Sequence, residues 1–238
     1  MSRKSCRHPG NSKPLLGLLL ASIASPAIAA EDSPGAWITF SISDAVSSAG
    51  QDTRWHYWFD TQARFFDPGS GASQYLVRPG FGYRFSNGVK GWIGYARYRT
   101  RGSNGTVVHE NRYWQQADWS AGSLFGGNLS LRARLEERSL SVGEDVAVRF
   151  RFSGKYVRPL DETGRRSLIV GIEPFFDLRD TDFGSESGLS QNRAFFGMGW
   201  RVGESLTLEA GYMNQWIRVG GGPDRVFHHG VMNFNVRL

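Results

Sequence analysis

Charged side chains recur at alternate positions in several separate stretches of this chain. Arg132, Arg134 and Glu136 interleave with Leu129, Leu131, Ala133 and Leu135. Arg149 and Arg151 share that spacing, as do Glu110, Arg112 and Gln116. Arg64, Arg78, Arg97, Glu173, Asp177, Arg193, Glu209, Gln215 and His229 fall on the polar parity of their own segments. A guanidinium offers a fork of donors that matches a carboxylate edge. On one face of adjacent strands, such groups lie within cross-strand reach. The set is expected to form one lattice of ion pairs around an interior. It would either pack that interior or line a constriction. Arginine outnumbers carboxylate in the set, so a conducting version would favour anions.

Other chemistries need other constellations. A hydrolase or acyltransferase would draw on His109, His228 or His229. Its nucleophile would be Ser139, Ser141 or Ser190, with Glu110 to orient the base. No G-x-S-x-G elbow is present. No H-E-x-x-H or C-x-x-C occurs among the five histidines and one cysteine. His228 and His229 are adjacent, so on a strand they point to opposite faces. Gly80-x-Gly82 and Gly197-x-Gly199 lie inside strand-like segments with no helix after them. They read as close packing beside bulky neighbours, not as phosphate loops. No catalytic residue, metal site or cofactor is assigned, and the chain reads as a non-enzyme.

The alternation identifies the elements that carry these groups. The stretch 54–66 places Trp55, Tyr57, Phe59, Thr61, Ala63 and Phe65 on one face. Arg54, His56, Trp58, Asp60, Gln62 and Arg64 fall on the other. A strand of this length spans about 40 Å, and about 9–11 tilted residues suffice to cross a membrane. Similar alternation marks 36–43, 74–85, 90–99, 109–119, 129–138, 146–156, 168–178, 191–201, 206–216 and 226–238. Turns at 86–88, 121–127 and 202–204 are short, and loops at 100–107 and 179–188 are longer. Membrane barrels show this asymmetry between their two ends.

The expected fold is all-β: an antiparallel up-and-down transmembrane β-barrel after an N-terminal signal peptide. From Arg54 onward ten strands are counted, and twelve is the alternative, because such barrels usually hold an even number. The stretch 36–43 is then surplus. Pro79 weakens the 74–85 strand, because proline removes a ladder donor.

Residues 1–29 read as the signal peptide, and 30–238 as one barrel domain. Arg3, Lys4, Arg7 and Lys13 precede a short apolar core, and Ala27-Ile28-Ala29 supplies a cleavage site. The formal charge of +6 falls to +2 without the leader, which holds four basic residues and no acidic one. That balance argues against nucleic acid as a partner. Cys6 lies in the leader, so no disulfide is expected. Outer-membrane lipid and lipopolysaccharide are the expected surroundings. Met232, Phe234, Val236 and Leu238 resemble the C-terminal signature read by the barrel-assembly machinery.

Five motifs carry a further resemblance. They are Glu110-Asn111-Arg112-Tyr113-Trp114-Gln115-Gln116, the run 132–138, Gln191-Asn192-Arg193, Gly211-Tyr212-Met213-Asn214-Gln215, and His229. In order and spacing the chain resembles the bacterial "domain of unknown function 2490" family of predicted outer-membrane proteins. The resemblance implies a barrel in the outer membrane of a Gram-negative cell. It implies no particular activity.

Overall fold

The structure is a computed structural model that describes residues 31–48, 51–67 and 69–238. The expected signal peptide, 1–29, lies outside the described residues. Eleven strands follow in chain order: β1 (Glu31–Ser48), β2 (Gln51–Asp67), β3 (Ala72–Arg84), β4 (Lys90–Arg101), β5 (Val107–Leu124) and β6 (Gly127–Leu140). Then come β7 (Val146–Pro159), β8 (Arg166–Asp177), β9 (Gly188–Val202), β10 (Leu206–Ile217) and β11 (Arg225–Val236). Each strand pairs with its sequence neighbours, and β1 pairs with β11, so the sheet closes into a barrel.

The strand number is neither the ten nor the twelve expected. The stretch 36–43 is not surplus. It is the middle of β1, paired on one side with β2 and on the other with β11. An odd number of up-and-down strands forces the first and last to run the same way. β1 and β11 are accordingly parallel, from Glu31 opposite Arg225 to Ile42 opposite Val236. The remaining pairs are antiparallel. The start of β1 therefore lies at the end bearing loops 102–106 and 178–187. The C-terminal residue lies at the end bearing the short turns.

Side-chain alternation places charge inside and apolar groups outside. Ile38, Phe59, Phe81, Ile93, Ile172, Phe196 and Met232 are exposed on the outer wall. Between them Asp60, Arg78, Arg134, Glu136 and His229 are buried. β4 departs from this rule. Trp92, Ala96 and Tyr98 point inward and join Leu76 and Trp114 in a buried cluster, with Trp58 packed against it. Ile93, Arg97 and Arg99 are exposed on the outer face. Arg97 is thus not in the lumen, a correction to the expected lattice. It donates to Asn111 Oδ1 at 2.5 Å on the outside, near the long-loop end of its strand. There a long side chain can carry its charge clear of an apolar band.

Glycines make room for these inward rings. A Cβ on Gly80 would come within 2.5 Å of Trp114, and one on Gly94 would overlap the same ring. Gly82 lies against Trp92, and Gly199 against Ser167 and Ile169. Both in-strand G-x-G pairs are close-packing positions. Two prolines interrupt the ladders. β3 and β4 lack pairing at Arg78 and Pro79. β7 and β8 lack it at Phe152 and Ser153 opposite Glu173 and Pro174. Neither gap changes the register on its two sides, as expected from a single missing donor.

The turns follow their residue types. Gly88 (φ 84°) closes the 85–89 hairpin by donating to Phe85 O at 3.0 Å. Phe125 (φ 48°) and Gly126 (φ 75°) form the two-residue β5–β6 turn. In the turn after β7, Asp161 accepts from Thr163 Oγ1 at 2.6 Å and from the amides of Arg165 and Arg166. These bonds, Thr163 first, hold its carboxyl below the usual carboxylate range.

A Gly94→Val substitution should destabilise the barrel by about 1–3 kcal/mol through overpacking against Trp114. The temperature at which the folded band converts to the unfolded band on a gel would measure it. An unchanged transition would mean that the Trp114 ring can move aside.

Candidate functional site

The inward faces of β5 to β9 assemble one continuous ion-pair lattice. Glu136 is its centre, with a side chain 1% exposed. It meets Arg112 at 3.1 Å, Arg151 at 2.6 Å and Arg134 at 3.5 Å. Arg112 continues to Glu110 at 2.8 Å, and Glu110 also binds Arg138 at 2.6 Å. Arg149 closes the long-loop side on Asp177 at 2.6 Å. Toward the short-turn side, Glu173 is shared by Arg132 at 2.6 Å, Arg151 at 2.7 Å and Arg193 at 3.6 Å.

The register explains these contacts. Arg149 on β7 stands opposite Asp177 on β8, and Glu173 opposite Arg193 on β9. Arg132, Arg134 and Arg138 follow at spacing two along β6, so one strand faces carboxylates on both sides.

Aromatic rings complete the packing. The Arg112 guanidinium lies 3.8 Å from the Tyr98 ring centre. Arg134 lies between Trp114 at 4.4 Å and Trp58 at 5.2 Å. It donates from Nε to Gln116 Oε1 at 2.7 Å, while its two terminal nitrogens have no hydrogen-bond partner. The ring faces offer those nitrogens a cation–π contact in place of hydrogen bonds.

The remaining expected residues lie around this centre. Arg78 forms an ion pair with Asp60. Arg64 bonds to Gln62 and Gln74 and stacks 3.7 Å from the Trp37 ring centre. Among the described residues it has no carboxylate partner. Arg193 stacks on Trp37 as well, at 4.6 Å. Glu209 binds Lys155 at 2.6 Å. His229 is fully buried, 2.9 Å from Gln215 Oε1, with Nδ1 unpartnered.

A cavity of about 440 Å³ lies inside the wall. Arg64, Arg132, Arg151 and Arg193 border it, with Lys155, Glu173 and Glu209. Its lining crosses the middle of the barrel, from Ser130 and Lys155 near the short-turn ends of their strands to Trp37 and Arg64 nearer the long-loop ends of theirs.

The hydrolase candidates are not brought together. Ser141 Oγ accepts from the backbone amide of His109 at 3.0 Å, not from its ring. Ser190 is buried against Phe175 O at 3.4 Å. His228 faces outward and contacts Tyr212 Oη at 2.6 Å. The Glu110 carboxylate is taken up by Arg112 and Arg138. No group of three or more His, Cys, Asp or Glu able to hold a metal occurs among the described residues.

Comparison with known proteins places this arrangement. Residues 34–226 match the family described as "Protein of unknown function (DUF2490)". The chain belongs to the DUF2490 family. It is also 30% identical over 202 residues to an uncharacterized protein of Methylorubrum extorquens, covering 84% of this chain and 86% of that one. No solved structure matches the chain.

For this DUF2490 barrel, sequence reasoning missed several lattice members. Arg138, Asp60 and Gln62 sit on the polar parity beside residues already chosen, so the alternation alone could have found them. Trp37, Tyr98 and Trp114 are also inward. Their signal was weaker, because an aromatic fits either face of a membrane barrel.

A Glu136→Gln substitution should cost about 3–5 kcal/mol, because it strips charge from a buried carboxylate that three arginines share. Lys155→Gln, at a half-exposed pair, should cost less than about 1 kcal/mol. Urea titration of the folded band would compare them. Equal effects would show that the lattice has no energetic centre.

Proposed function

We propose that this DUF2490 protein is an outer-membrane β-barrel with a structural and binding role and a lumen closed by its own side chains. The supporting observation is the inverted polarity of the wall. Large apolar side chains are exposed around the barrel while Arg134, Glu136 and His229 are almost wholly buried. A water-soluble protein avoids so continuous an apolar surface, whereas hydrocarbon demands it. Ladder closure through β1 and β11 supports the same reading, because an open edge in lipid leaves backbone groups unsatisfied.

In this reading the short turns face the periplasm and loops 102–106 and 178–187 face outward. Phospholipid and lipopolysaccharide surround the wall. The outward residues Met232, Phe234 and Val236 of β11 are what the barrel-assembly machinery would engage. The cleaved leader directs export. No catalytic role is proposed, and the separation of the candidate serines from imidazole rings supports that choice.

A narrow channel is the competing reading. The arginine excess favours it in one respect, since a conducting lumen of this composition would select anions. Tyr98, Trp114 and Arg134 oppose it, because all three are buried across the middle of the lumen.

Membrane fractionation followed by electrophoresis with and without boiling tests the barrel. A heat-dependent mobility shift in the outer-membrane fraction is expected. A soluble periplasmic protein with no shift would sink the proposal. In planar bilayers the purified protein should show no stable open-pore conductance. A steady anion-selective current would favour the channel instead.

A further inference from the structure

The outer faces of β4, β5 and β6 interrupt the apolar wall together. Arg97, Arg99 and Arg101 stand at alternate positions of β4, and all three are exposed on the outside. The register sets Asn111 beside Arg97 and His109 beside Arg99. Glu137 is exposed on β6, opposite Tyr113. Near the long-loop ends of their own strands, β2, β7, β8 and β10 instead turn Phe65, Val146, Phe176 and Trp216 outward. One arginine near a strand end can carry its charge clear of an apolar band. Three at spacing two, beside Tyr75 and Val77 of β3, make a charged surface.

The donors of this surface are available. Arg97 donates to Asn111 Oδ1, which also accepts from Tyr95 Oη at 2.6 Å. The side chains of Arg99 and Arg101 have no hydrogen-bond or carboxylate partner among the described residues. On the outer faces of β3 to β6, Glu137 is the single carboxylate among the described residues. The patch therefore carries net positive charge.

On its short-turn side the wall is hollowed. A depression of about 530 Å³ lies over Gly80 and Gly94, rimmed by Phe81, Ile93, Tyr95 and Tyr113. A second, of about 620 Å³, follows toward the short turns over Gly82 and Gly91. Phe81 and Ile93 border both. From Arg97 to Gly91 is about 20 Å along the strand. A basic patch thus heads an apolar trough on the outside of the barrel.

We infer that this face of β3 to β6 binds a lipid whose head bears several phosphates, the lipid A part of lipopolysaccharide. Phosphates meet Arg97, Arg99 and Arg101, whose guanidinium forks fit a phosphate edge. Acyl chains lie in the two depressions and stay outside the wall throughout. The inference rests on the outer-membrane reading, in which the long-loop half of the wall faces the leaflet that holds lipopolysaccharide. Three arginines spread over about 13 Å of strand suit several phosphates better than the single one of a glycerophospholipid. A second copy of this chain fits less well, because matching faces would set one arginine patch against another.

The full chain, folded in a neutral detergent, is titrated with lipid A, its dephosphorylated form, phosphatidylglycerol and inorganic phosphate, and read by native mass spectrometry. One lipid A per chain should bind saturably, at least tenfold more tightly than the dephosphorylated form or phosphatidylglycerol. Equimolar phosphate should not displace it. The Arg97→Gln, Arg99→Gln double variant should weaken binding at least tenfold. Arg158→Gln with Arg201→Gln, two exposed arginines at the short-turn end, should leave binding unchanged.

Should the first variant fail to fold, the comparison of lipids on the unaltered chain decides the matter. Equal binding of dephosphorylated lipid or phosphatidylglycerol would overturn the inference, as would displacement by phosphate. So would unchanged binding by the Arg97 and Arg99 variant, or an equal loss in the short-turn control. A dimer that excludes lipid A would overturn it too and identify a second copy as the occupant. Failure of the outer-membrane reading would appear in fractionation as a soluble protein, whereas failure of this inference would appear only in the lipid titration.

Discussion

The interior of this barrel depends on the sharing of too few carboxylates among too many guanidinium groups. Glu136 shows the constraint most directly, with Arg112, Arg134 and Arg151 around one buried carboxylate. Taking such charges from water is costly, and attraction repays it only with close geometry and further hydrogen bonds. The barrel supplies these by holding β5 to β8 in a register that brings the groups to meeting distance. Where carboxylates run out, aromatic faces substitute. Trp58 and Trp114 flank Arg134, and Trp37 carries both Arg64 and Arg193.

Barrel size and lattice composition are linked. Eight strands give an interior that ordinary side chains fill, and eleven enclose more. Arginine, tryptophan and tyrosine are the long side chains that can reach across it. Their bulk in turn requires the bare backbone at Gly80, Gly82 and Gly94. The odd strand follows from the same closure. Without β1, the edges of β2 and β11 would have to meet each other. With β1 between them, one edge pairs antiparallel and the other parallel, and both are satisfied.

Much of this was legible in the sequence because the strand period is two and the two faces have opposite chemistry. Leu129 to Arg138 could be read almost residue by residue. The errors share a physical cause. β4 carries aromatics on both parities, so Arg97 looked like a lumen residue. The inward choice was settled by contact with Trp114 and Arg112, which lie on another strand. The stretch 36–43 was set aside by a preference for even numbers, although Ile38, Phe40 and Ile42 already showed its outer face. Pro79 could be read as a ladder break, and the second break, at Pro174, shows only in the fold.

The excess of positive charge is unevenly distributed through the lattice. Around Glu110 and Asp177, arginines and carboxylates alternate closely and their side chains are buried. Around Trp37, the carboxylates within reach are already engaged and the guanidinium groups stack on a ring instead. Arg64 gives its edge donors to Gln62 and Gln74, so amide oxygens stand in for the missing carboxylates. The half that packs tightly fixes the arginine positions in the half that does not. The same lattice therefore closes the lumen without a carboxylate for every guanidinium.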